Sequence, residues 1–274
     1  MTEQTAGARP RGGIWDAIFV LIFGRRSAPA PRPQQNPQPQ TQPDPGPAPG
    51  PSTQAQAPLD APPAPPLDPV TPAAPIVVPA APAISPFVQR LVDFCVSEWN
   101  NFQQGALHET REPASSRIAA YWANVGKPEW SGQTTDQPWS AAFISFAMKE
   151  AGDNGRFKKA TGHCVYINDA IKRCNEEGAP FHGKRIEDYA PQLGDLICRT
   201  RAGSDVTFET AVNTPWYTSH TDIVTAIKPN EIEMIGGNVS QSVSVRRLPL
   251  LPDGRLEPQA AADAGVFAIM KNNL

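Results

Sequence analysis

Between Ser27 and Pro86 the chain places 21 of its 32 prolines within 60 residues, and this run limits the fold more than any other feature. Proline lacks a backbone N–H and fixes φ, so such a stretch can supply neither a helix interior nor a central strand. Its other residues are mostly Ala, Gln, Gly and small polar types, with no aromatic side chain. Ordering it would therefore bury too little apolar surface to offset the lost entropy. The expected state is an extended spacer of polyproline II character, reaching on the order of 190 Å at about 3.1 Å per residue. Its PxxP matches are docking motifs of low specificity.

The spacer divides the chain into a head (1–26), a linker (27–86) and a body (87–274). The body has 188 residues, enough for one well-buried core. It carries 19 Lys and Arg against 22 Asp and Glu, with no basic run, so a nucleic-acid partner is not expected. The head reads GGIWDAIFVLIFGRR, ten mostly apolar residues from Ile14 to Phe23 between arginines. A spanning helix needs about 20 such residues, so this run is too short to cross a bilayer. Trp15 and Phe19 beside arginines suit a membrane surface, and a docking peptide for a delivery partner fits equally well. An unusual signal peptide is the third reading, disfavoured by Asp16 and by the arginines that follow the apolar run.

The body changes periodicity once. Ser85-Pro86 is a cap followed by proline at the first helical position, and Val88, Leu91, Val92, Cys95, Trp99 and Phe102 recur at helical spacing. Further helices are expected over Pro113–Asn124, from Ser140 to near Gly152, and from Gly162 to a stop at Gly178. Five short strands follow, at 195–199, 220–227, 231–236, 242–248 and 265–270, with turns at Lys228-Pro229-Asn230 and Gly236-Gly237-Asn238. Helices followed by an antiparallel meander give an α+β fold. The connection from Thr200 to Ser219 is long for a hairpin and carries Phe208, Trp216 and Tyr217, so it reads as a flap over a cleft.

Cys95, Cys164, Cys174 and Cys198 form no CxxC pair and no zinc spacing. Cys95 and Cys174 fall on apolar helix faces and Cys198 in a strand, which favours reduced core cysteines; an even count allows a disulfide if the body is exported.

The chemistry gathers around QPWSAAFISF, where Ser140 opens an apolar helix. Free backbone N–H groups and the positive end of the helix dipole there favour an attacking oxygen and the oxyanion it creates. A base is still required, and His220, opening the strand HTDIVTAI, is the candidate. Asp222 shares its face by alternation, and Asn238 sits at the far end of the next strand; either could orient the imidazole. Against this stands the plainer reading of Ser140 as a helix N-cap, contributing about 1 kcal/mol. His163 lines the cleft or caps its helix, while Cys164 beside it at a helix start is a secondary nucleophile candidate. No spacing supports a metal site from His220, Asp222 and Asp195; Asp195 serves the turn before its strand. Trp139, Trp216 and Tyr217 are core or substrate-lining aromatics.

In order, PWSAAFISF, GDLIC, SHTDIVTAI and EMIGGNVSQSVSV resemble the papain-like amidohydrolases of the CHAP and NlpC type, whose nearest pattern reads approximately PWCAAFV, GHVGIV and GGNQ before a VSV strand. The chain is also similar to a bacterial family, formally of unknown function, whose members carry serine in this motif. The likeness spans residues 137–245 and none of the head or linker. It implies a papain-like fold and cleavage of amide bonds in peptidoglycan stem peptides or at the sugar-to-peptide junction, without a cofactor. By position it implies Ser140 as nucleophile, His220 as base and Asn238 as the polar third residue. Two departures stand out: serine replaces cysteine, and Asp222 replaces a glycine. A hydroxyl depends on its base far more than a thiol does, and a carboxylate beside His220 would raise that basicity.

The resulting expectation is a tethered envelope, periplasmic or secreted peptidoglycan amidase acting through an acyl-enzyme on Ser140. An inactive wall-peptide or protein-binding module on the same fold, and a hydrolase of a non-wall amide, ester or lipid, are the alternatives.

Overall fold

The structure, a computed structural model, describes residues 84–201 and 203–274. The apolar head and the linker up to Ala83, with the anchor and spacer expectations attached to them, lie outside the described residues. Four helices precede most of the sheet. Helix α1 (Pro86–Asn101) starts as its sequence dictates, with the Ser85 hydroxyl accepting the Val88 N–H at 3.1 Å and proline in the first turn. Helix α2 (Ala114–Asn124) follows Pro113, and α3 (Ser140–Ala151) ends at Gly152 in the left-handed conformation, φ 87°. Helix α4 (His163–Lys172) is shorter than expected, stopping at Lys172 well before Gly178, so Cys174 lies past its end and is half-buried. All four cysteines are free thiols.

The sheet has six strands rather than five. They are β1 (Phe181–Lys184), β2 (Leu196–Thr200), β3 (Ser219–Ile227), β4 (Glu231–Val239), β5 (Ser242–Pro249) and β6 (Val266–Asn272). Their spatial order is β1-β6-β2-β3-β4-β5, every neighbouring pair antiparallel. The unexpected strand β1 reads FHGK, too short and glycine-broken to signal itself. Gly183 is needed there because a Cβ would lie 2.7 Å from the Ile171 Cα of α4. Two short helices complete the unit: α5 (Phe208–Ala211), within the 200–219 connection, and α6 (Pro258–Asp263).

The β4–β5 hairpin corrects a second expectation. Gly236-Gly237-Asn238 is not the turn; β4 continues through it to Val239, with an irregularity between Gly236 and Val239. The chain reverses at Ser240 and Gln241, both at positive φ (53° and 62°), the backbone that matches the twist of a tight hairpin.

Two apolar layers enclose the sheet. The larger joins α1 to α4 with one sheet face, including Leu196, Cys198, Ile223 and Ile235; the smaller covers the other face with Ile197, Val224, Met234 and Ile269. Helix α3 is central, nine of its 12 residues being buried, as an apolar helix packed on several sides must be. Among the described residues no helix is long and apolar enough to cross a membrane.

Candidate active site

Ser140 is the first residue of α3, and the N-cap position belongs to Trp139, which offers no side-chain cap. The cap reading of the serine therefore fails: its Oγ lies 2.6 Å from Nε2 of His163, the first residue of α4. With Ser140 donating to Nε2, the imidazole proton sits on Nδ1. There the Thr221 Oγ1, at 2.9 Å, and the Tyr166 hydroxyl accept it. Tyr166 also lies 3.1 Å from Thr221 Oγ1, closing a buried network across α3, α4 and β3.

The sequence expected His220 in the place that His163 takes. Strand alternation explains the difference. Thr221 and Ile223 face the helices, while His220 and Asp222 share the side of Val224, which belongs to the opposite apolar layer. His220 still reaches the edge of the site, its ring centroid 5.1 Å from that of His163. Its Nε2 donates to Asp222 Oδ1 at 2.8 Å, so Asp222 is the orienting partner of His220, and Nδ1 is buried without a partner. Asn238 makes no hydrogen bond among the described residues to either histidine; it is half-buried at φ 56° in the irregular part of β4. Gly236 explains the placement of Asp222, because a Cβ on Gly236 would fall 1.8 Å from Oδ1. Gly237 allows α3 to approach the sheet, since its Cβ would meet Phe143 at 2.6 Å and Trp139 at 2.7 Å.

Exposure is 2% for Ser140, 6% for His163 and 1% for both His220 and Asp222, so the site is closed to solvent. Burial, reinforced by the His220 ring, lowers His163 well below the ordinary imidazole value, and burial lowers His220 against the opposing pull of Asp222. Both rings are therefore neutral near pH 7. Burial alone would raise the Asp222 carboxyl, but His220, Arg199 and Arg246 outweigh it and hold it below the usual carboxylate range. Arg199 Nε lies 3.4 Å and Arg246 Nε 4.0 Å from Oδ2.

The remaining candidates separate cleanly. Trp139 is core, 1% exposed, its indole N–H donating to Glu109 at 2.7 Å. Tyr217 is buried too, its hydroxyl donating to Asn168 Oδ1 at 2.8 Å. Trp216 is 60% exposed and lies on Gly162, whose Cβ would come within 2.4 Å of the indole. The long connection thus covers the residue just before His163. Cys164 is fully buried with its thiol pushed up by burial, the reverse of an activated nucleophile. Asp195 accepts the N–H groups of Gln192 and Asn272, each at 2.8 Å, as a turn residue should. Among the described residues no three metal-ligating side chains converge. A groove of about 380 Å³ at α5 and the start of β6, lined in part by Arg185, Phe208 and Phe267, contains none of the four site side chains.

Sequence reasoning missed Thr221, Tyr166 and the role of His163. Two signals were available. Tyr166 stands three residues after His163 on one helical face, and the apolar parity of β3 turns Thr221, not His220, toward the helices.

The geometry defines an α+β protein with a buried serine–histidine pair at the facing starts of two helices. The chain belongs to a bacterial family whose description is "Uncharacterized protein conserved in bacteria (DUF2272)"; the family model matches residues 107–265, which include every site residue above. No curated protein and no solved structure matches the chain.

Proposed function

We propose that the chain is a serine amidohydrolase of papain-like architecture that cleaves amide bonds of cell-wall peptides. The observation that carries this reading is the 2.6 Å contact between Ser140 Oγ and His163 Nε2 at the start of α3. The hydroxyl attacks the scissile carbonyl while its proton passes to His163 Nε2, which later returns it to the leaving amine. In α3 the first intrahelical bond runs from Phe143 N–H to Trp139 C=O, leaving the N–H groups of Ser140, Ala141 and Ala142 for the oxyanion. Thr221 and Tyr166 fix the tautomer of His163, and the Asp222 charge reaches it across His220. Because neutral hydroxyls rather than a carboxylate touch Nδ1, the imidazolium formed during attack is less stabilised than in a serine triad, and turnover is slow.

Purified peptidoglycan incubated with the protein and analysed by mass spectrometry tests the reading. Wild type releases defined fragments, whereas Ser140→Ala and His163→Asn lower the rate by about a thousandfold while remaining folded. His220→Asn, acting one ring away, lowers it by about tenfold. An equal loss in the two histidine variants would return His220 to the role of base.

The closure of the site favours a second reading, a binding module on the same fold that turns nothing over. In that case wild type releases nothing and Ser140→Ala binds wall fragments as well as wild type. A panel of acyl substrates separates the wall-directed enzyme from one acting on other amides, esters or lipids.

A further inference from the structure

Arg199 of β2 lies opposite His220 of β3, and Arg246 of β5 lies opposite Met234 of β4. Both reach toward one oxygen, Asp222 Oδ2, whose partner oxygen is already bonded to His220. Arg201, two residues after Arg199, comes within electrostatic reach of Arg246 and Asp222, and among the described residues it forms no ion pair. Two guanidinium groups thus share one carboxylate, with a third within electrostatic reach, in a chain whose net charge is −3. Burial, with repulsion from Arg246 and Arg201 added to it, lowers Arg199, and an additional anion would relieve the repulsion. Polar capacity is also unspent: Arg199 Nε and Arg246 Nε are buried without a hydrogen-bond partner. Buried donors are seldom left so in a protein at rest.

We propose that Arg199 and Arg246 form an anion subsite that takes a carboxylate of the substrate peptide and holds it on the Asp222 side of β3, one imidazole ring, His220, away from His163. The inference rests on the hydrolase reading and names its substrate class: peptides with a free carboxyl near the scissile amide. A planar guanidinium matches a carboxylate with two parallel N–H···O bonds, and a second arginine completes the clamp. The ligand then supplies the negative charge that Asp222 alone provides too little of.

Calorimetric titration of full-length Ser140→Ala protein tests this without turnover. The probes are a tripeptide of cell-wall stem composition with free carboxyls, the same peptide fully amidated, and inorganic phosphate. The free acid binds more tightly than the amide by about tenfold. Arg246→Met and Arg199→Met, each added to Ser140→Ala, abolish that preference while leaving the amide's affinity within about twofold. Arg246 is 39% exposed, so its variant keeps the fold if that of Arg199 does not. Equal binding of acid and amide, or a preference that survives both substitutions, overturns the proposal, and so does phosphate binding with no acid-over-amide preference. An intact preference with no wild-type turnover refutes only the hydrolase reading. Turnover of both peptides at equal kcat/KM refutes only the subsite.

Discussion

Ser140 shows how little a residue type says about its task until its partner is known. A serine opening a helix is ordinarily a cap, yet here Trp139 holds the cap position and the hydroxyl is given to His163 at 2.6 Å. The same holds for the two histidines. His220 has the more conspicuous setting in the sequence, two residues from a carboxylate, but the face of β3 decides which histidine meets the serine. Their burial has a consequence for stability. Both are lowered when folded, against an unfolded value of about 6.5. Below that pH the unfolded chain binds more protons, so stability falls as pH falls, by up to about 1.4 kcal/mol per pH unit for each histidine. Asp195 acts in the opposite sense. Burial raises it to about 6 in the folded state, so stability increases as pH falls through that value, offsetting one of the two histidines. Denaturant unfolding at pH 7 and pH 5 checks the sum: wild type loses stability on acidification, and His163→Asn flattens the slope by about one proton.

Among elements, β4 decides how α3 meets the sheet. Gly237 lets Phe143 and Trp139 approach the strand, and Gly236 makes room for the Asp222 carboxylate. Gly237→Ala forces strand and helix apart and destabilises the protein by about 1–3 kcal/mol, measured by denaturant unfolding. Gly236→Ala breaks the His220–Asp222 hydrogen bond, read as a changed His220 titration by NMR. The starts of the helices were legible because their caps and periodicity are local: Ser85-Pro86 for α1, Gly162 before α4. So were five of the six strands. What escaped depended on tertiary contact. β1 is a strand because β6 pairs with it and α4 lies on Gly183, and FHGK alone carries no such signal. The Ser240-Gln241 turn uses residues outside the usual Asn-Gly and Asp-Gly pairs, so the more glycine-rich segment drew the turn assignment. The serine's partner was hidden for the same reason, since Ser140 and His163 are 23 residues apart and meet only when two helix starts face each other.

At the scale of the whole molecule, the described residues from Ile84 to Leu274 form one compact unit. Ser85 Oγ donates to the Leu274 carbonyl at 2.9 Å, tying the start of α1 to the residue after β6 and its short tail. Residues 84–274 produced alone therefore unfold in one transition, as scanning calorimetry would show. The unit's chemistry rests on one claim, that Ser140 is activated by His163. The most direct measurement labels the protein with a fluorophosphonate, which a nucleophilic serine attacks with loss of fluoride, and locates the adduct by peptide mass spectrometry. A single adduct on Ser140 is expected in wild type, none in His163→Asn, and labelling slowed by about tenfold in His220→Asn. An unmodified Ser140 in wild type, or labelling that survives in His163→Asn, would contradict that claim.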